Sequence, residues 1–136
     1  MNSFRRFRTA VALFALAGLF CAGGAEAGEL KITEMAVTTR IVKGNPIDSV
    51  HRISSASVKA LYCFTRISAP PGTDTSIKQV WYRNDEEVAE YVLPVKGERW
   101  RTYSRKTVEK GASGEWRCDA LDSEGNLLKS VSFRMN

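Results

Sequence analysis

The residues best equipped for chemistry lie in the stretch GERWRTYSRK, Gly97 to Lys106. It sets Arg99, Arg101, Arg105 and Lys106 around Trp100 and Tyr103. On a strand, successive side chains point to opposite faces. Arg99, Arg101, Tyr103 and Arg105 then share one face, and Trp100, Thr102 and Ser104 share the other. Guanidinium groups hold carboxylates and phosphates through paired hydrogen bonds, and Arg and Tyr are enriched at protein interfaces. The first face therefore reads as a basic-aromatic binding stripe. Arg117, in EWRCDAL, has the same outward parity and extends the patch if the two strands are neighbours. In the competing reading these arginines pair with Glu90, Glu98 or Glu115 and only keep the sheet solvated.

Other chemistry finds little support. His51 is the one histidine and sits in a polar segment. Triads occur in several chain orders, yet no GxSxG elbow is present. One His and two distant Cys lack zinc spacing, and Asp85-Glu86-Glu87 lacks the calcium-loop pattern. No GxxxxGK or GxGxxG phosphate loop occurs. Glu86, Glu87, Glu90, Asp119 and Asp122 would need a cleft and a set separation to act as a glycosidase pair. The expectation is a protein that is not an enzyme and uses no metal or cofactor. The alternative is carbohydrate binding or weak activity on cell-wall glycan. It would stack sugar on Trp81, Trp100, Trp116, Tyr62, Tyr82, Tyr91 or Tyr103.

The opening residues suggest a place of work. Arg5, Arg6 and Arg8 precede an uncharged apolar run from Ala10 to Cys21, and Ala25-Glu26-Ala27 is a small-x-small site. This is the pattern of a secretory signal peptide over residues 1–27, with an apolar run short of the ~20 residues that span a bilayer. Anchoring through Cys21 is the lesser alternative, because bulky Phe20 precedes it. The expected mature chain, 28–136, is one domain in size. Removing three Arg and one Glu from 20 basic and 15 acidic residues leaves 17 against 14, or +3. That mild excess does not argue for nucleic acid. An envelope protein or a cell-wall polymer is the expected partner, in the periplasm or outside the cell, with no transmembrane segment in the mature chain. Cys63 and Cys118 remain after cleavage, and an even count in an exported small domain suggests a disulfide.

Period-two alternation dominates the rest. Leu30 to Ile41 reads as one or two strands, broken by Gly44-Asn45-Pro46; Ile47 to Ser57 reads as a connector. Val58 to Ile67 is a strand with Leu61, Cys63, Thr65 and Ile67 on one side and Tyr62, Phe64 and Arg66 on the other. Ile77 to Arg83, Val88 to Val95, Arg99 to Lys106, Glu115 to Leu121 and Leu127 to Met135 follow. Turns are expected at Asn84-Asp85, Lys96-Gly97 and Asp122 to Asn126, and Pro94 suggests an edge. About seven strands with frequent turns argue for a single immunoglobulin-like β-sandwich. The order Cys63, Trp81, Cys118 fits that reading.

The chain also resembles a bacterial family known as domain of unknown function 2914. Arg40 and Pro46, LYCFT (Leu61 to Thr65), Val80 to Val95, Arg99 to Thr107, Gly114 to Leu128 and Phe133 carry the resemblance. It implies a small exported or membrane-tethered β-domain with no established activity. Family members often have His two residues before the middle Trp, where this chain has Gln79, and an apolar residue where Cys118 stands. The resemblance thus implies that a disulfide would be a local addition rather than the basis of the fold.

Overall fold

The alternating segments become strands in the computed structural model, which describes residues 29–136. Ten strands are present among them and no helix: β1 (Lys31–Thr38), β2 (Ile41–Val42), β3 (Asn45–Pro46), β4 (Arg52–Ile53), β5 (Ala60–Ser68), β6 (Thr75–Arg83), β7 (Glu86–Val95), β8 (Arg99–Thr107), β9 (Gly114–Leu121) and β10 (Leu127–Met135). Seven of these have eight to ten residues. The expected signal peptide and its cleavage site lie outside the described residues.

The strands divide into a three-stranded sheet ordered β1-β5-β8, a five-stranded sheet ordered β4-β10-β9-β6-β7 and a two-stranded ribbon β2-β3. All neighbours pair antiparallel except β4, which lies parallel to β10. The fold is therefore all-β with two main layers. It departs from a seven-strand sandwich through the ribbon and through β4, each built from strands of only two residues. The expected break at Gly44-Asn45-Pro46 is in fact a hairpin. Lys43 and Gly44 (φ 52° and 76°) make a two-residue turn, and Asn45–Pro46 returns against Ile41–Val42. β4, inside the expected connector, was not legible because two residues give no periodicity.

The tightest expected turn forms as read. Asn84 and Asp85 (φ 50° and 66°) join β6 to β7, a geometry that favours Asn and Asp. Asn84 also braces the next hairpin, its Oδ1 accepting from the Glu115 N–H at 3.0 Å. That amide fits because position 114 is glycine: a Cβ there would sit 2.7 Å from Asn84 Oδ1.

The inward parities meet between the layers. Met35, Val37, Leu61 and Cys63 of one sheet pack with Trp81, Trp116, Cys118, Ala120, Phe133 and Met135 of the other. Trp81 is fully buried and meets Phe133 edge-on at 6.4 Å; Trp116 stacks on Phe133 at 6.0 Å. Burying each such ring contributes on the order of 2–3 kcal/mol. A second cluster of Leu30, Ile67, Ile77 and Val95 closes one end, with Trp100 against it.

One polar thread crosses this core. The Trp81 indole N–H donates to Ser104 Oγ at 3.0 Å, Ser104 donates to Gln79 Oε1 at 2.5 Å, and Gln79 Nε2 donates to Thr65 Oγ1 at 3.3 Å. Gln79 and Thr65 are fully buried, and no buried side-chain polar atom among the described residues lacks a partner. Gln79 thus ties the two sheets together.

Candidate binding face

β8 presents its residues as alternation requires. Arg99, Arg101, Tyr103 and Arg105 are exposed; Trp100 and Thr102 are half-buried and Ser104 is buried. The strand lies at the end of the three-stranded sheet and pairs with β5 over nine residues without a bulge. Register places Arg101 opposite Arg66, Tyr103 opposite Phe64 and Arg105 opposite Tyr62. The Tyr62 and Tyr103 rings meet edge-on at 5.8 Å. Phe64 has outward parity yet no exposure, and the Arg66 guanidinium lies over its ring at 5.4 Å.

Two like charges directly opposite on a sheet repel. The β2-β3 ribbon moderates this pair. Asn45 Oδ1 accepts from Arg66 Nη2 and from Arg101 Nη1, each at 3.1 Å. Arg66 also has a carboxylate partner, Glu34, at 3.0 Å. Gly44 at the ribbon's turn lets the chain approach: a Cβ there would lie 3.4 Å from Arg101 Cζ.

Arg117 is not part of this face. β9 belongs to the five-stranded sheet, so β8 and β9 are not neighbours and the expected extension of the patch fails. Arg117 is also engaged where it stands. It pairs with Asp85 at 2.8 Å and Asp119 at 3.0 Å, and its guanidinium lies over the Tyr82 ring at 4.1 Å. The Asp85 hydrogen bond, then the Asp119 charge acting against the cost of burial, raises its pKa.

The pairing expected to neutralise the stripe does not form. Glu90 pairs with Lys78, and Glu115 pairs with Arg134. Arg99, Arg101 and Arg105 make no ion pair among the described residues. Sequence reasoning placed Tyr62 and Arg66 on the outer side of their strand but did not join them to the stripe. Asn45 was missed altogether. Shared parity was the available signal; the pairing of β5 with β8 was not.

The remaining candidates do not assemble. His51, Ser132 and Glu115 line one open groove with Arg52, Phe133 and Arg134. Glu115 is held by Arg134, and no side-chain hydrogen bond links His51 to either neighbour. No cluster of metal-binding side chains occurs among the described residues. Cys63 and Cys118 carry free thiols, fully buried in the same core cluster, one from each layer. The expected bond is therefore absent here, although the two side chains share one core cluster. Desolvation pushes the Cys118 thiol well above its ordinary pKa, and the Cys63 thiol and the Asp119 charge add to it.

Residues 74–135 match the model of a family described as Protein of unknown function (DUF2914), the family that the sequence motifs resemble. The match takes in β6 to β10; Leu61 to Thr65, Arg40 and Pro46 fall outside it. No curated protein matches. Among solved structures, an immunoglobulin-like protein from Pseudomonas aeruginosa aligns at a TM-score of 0.54 and 12% identity, covering 79% of this chain and 97% of the other. β-Glucosidase 3B from Thermotoga neapolitana aligns at 0.48 and 13%, covering 79% of this chain and 16% of the enzyme. The first likeness shows an immunoglobulin-like fold; the second is too weak to bear on activity.

Proposed function

We propose that this chain, matched over residues 74–135 by a family of unknown function, is an exported, non-enzymatic binding domain of the bacterial cell envelope. Its mature form begins at Gly28, and it takes an acidic protein partner on the outer face of β1-β5-β8. The observation that carries the reading is the stripe of Arg99, Arg101 and Arg105. These three positive side chains are exposed beside Tyr103 and Tyr62 and lack carboxylate partners among the described residues. Unneutralised charge on a surface attracts and orients an oppositely charged partner. The leader pattern of the sequence supports the envelope location. The glycan-stacking alternative lacks its best platform, since Trp81 and Trp116 are buried and Trp100 is half-buried.

The test is site-specific photo-cross-linking from position 103 in intact cells. A discrete protein adduct is expected, and it should disappear with Arg101→Glu plus Arg105→Glu in a protein that still folds. An adduct that survives both reversals would remove the stripe from the function. Sedimentation with purified sacculi that persists at high salt would favour glycan instead.

A further inference from the structure

The stripe stands on an open sheet edge, and the hydrogen-bond phase of that edge can be read from its two ends. Ala69 N–H donates to Glu98 O, and Val108 N–H donates to Lys59 O. In an antiparallel ladder the bonded residues alternate. Counting inward from either end gives the same answer: positions 100, 102, 104 and 106 turn their backbone groups toward β5. Arg99, Arg101, Tyr103, Arg105 and Thr107 turn theirs to the free side. The Thr107 carbonyl, on that free side, accepts from the Lys106 side chain at 3.0 Å. The residues that display the arginines are thus the same residues that leave N–H and C=O groups unpaired.

The other edges are poorer templates. β1 is bulged between Ile32 and Glu34, and the Val50 N–H already occupies the Val37 carbonyl at 2.7 Å. β7 carries Pro94, and β4 has only two residues. β8 runs nine residues in unbroken register, and no backbone partner occupies its free side among the described residues.

We propose that β8 receives an extended acidic segment of a partner protein by strand addition. The inference rests on the reading of the stripe as a binding face and names how the partner is held. Main-chain bonds to positions 99, 101, 103 and 105 supply affinity, as in other edge-strand recognition. An incoming residue bonded to those positions places its side chain on the stripe's own face, so every second side chain meets Arg99, Arg101, Tyr103 or Arg105. The fitting sequence alternates Glu or Asp with small or apolar residues. A second copy of this chain is the wrong occupant: edge-to-edge pairing of two β8 strands would set Arg99, Arg101 and Arg105 of one copy beside those of the other.

The probe is a labelled decapeptide alternating Glu and Val, followed by fluorescence anisotropy at low salt. Its control has the same sequence with the Glu amides N-methylated, which keeps the charge and removes the peptide's N–H donors to the edge. The parent peptide is expected to bind, and the methylated one to bind at least about tenfold more weakly. On the protein side, Tyr103→Ala removes the ring alone, whereas Tyr103→Pro also removes an N–H that β5 does not use. Proline should weaken binding several-fold beyond alanine, with the fold checked by circular dichroism. Equal binding of the two peptides, or equal effects of the two substitutions, would overturn strand addition while leaving the arginine stripe as an electrostatic site. No binding of the parent peptide would also overturn it, whereas the absence of any protein adduct from position 103 with all three arginines in place, or an adduct that survives their reversal, would sink the binding face itself.

Discussion

Single residues matter here chiefly through their partners. Ser104 is a small hydroxyl on a strand crowded with arginines, yet it accepts from the Trp81 indole and donates to Gln79. Ser104→Ala would strand a buried N–H and a buried amide oxygen. A cost of about 2 kcal/mol is expected, read as a lower urea midpoint with unchanged slope. Thr102→Ala, on the same face but half-buried, should cost less. The inward direction of Ser104 followed from its parity. Its bonding to Gln79 did not, because residues 79 and 104 meet only when the two sheets close. Arg117 shows the opposite case: correct outward parity, wrong surface.

At the scale of elements, the end of β1 is held by one carboxylate. Asp48 Oδ1 accepts from the Thr38 hydroxyl at 2.5 Å and from the Thr39 N–H at 2.9 Å, and Oδ2 accepts from the Thr39 hydroxyl at 2.7 Å. Desolvation acts to raise the Asp48 pKa, but these bonds outweigh it and hold the group below its ordinary value. A folded-state pKa below the unfolded one gives stability that is present above the unfolded value. That stability is lost as pH falls through the folded one. Wild-type protein should therefore lose stability below about pH 4 more steeply than Asp48→Asn, compared by urea midpoints at pH 7 and pH 3. An identical pH slope in the variant would discard this account. The strands and turns of β5 to β10 were legible because each has its own alternation and its own Gly, Asn, Asp or Pro punctuation. The ribbon and β4 were not, since two-residue strands exist only by virtue of the longer ones they lie against.

At the scale of the whole molecule, the two layers bring Cys63 and Cys118 together at the centre of the core. With both thiols fully buried and the Cys118 pKa raised, the native reduced 28–136 form, which lacks Cys21, should be almost unreactive toward Ellman's reagent. Both thiols should react in urea. A disulfide-bearing oxidant present during folding would join the two sulfurs by exchange, its own S–S bond breaking as it takes two electrons and two protons and leaves as two thiols. Oxidative refolding should give a species two hydrogens lighter by mass. Its stability should drop by up to about 4 kcal/mol on reduction. Free thiols after oxidative refolding would show that the core closes before exchange can occur.

The sequence alone determined the strand character of this chain, the inward and outward parity of its long strands, the position of several turns and the stripe on β8. These are local properties, written in spacing, proline and glycine. The tertiary structure decided which sheet each strand joins. Lys96-Gly97 could have closed a hairpin between β7 and β8, but there the chain crosses to the other layer. That crossing separates Arg117 from the stripe, pairs β8 with β5, and leaves one edge of β8 free. Sheet membership is a choice among long-range pairings, and alternation within a strand is the same whichever neighbour it finds.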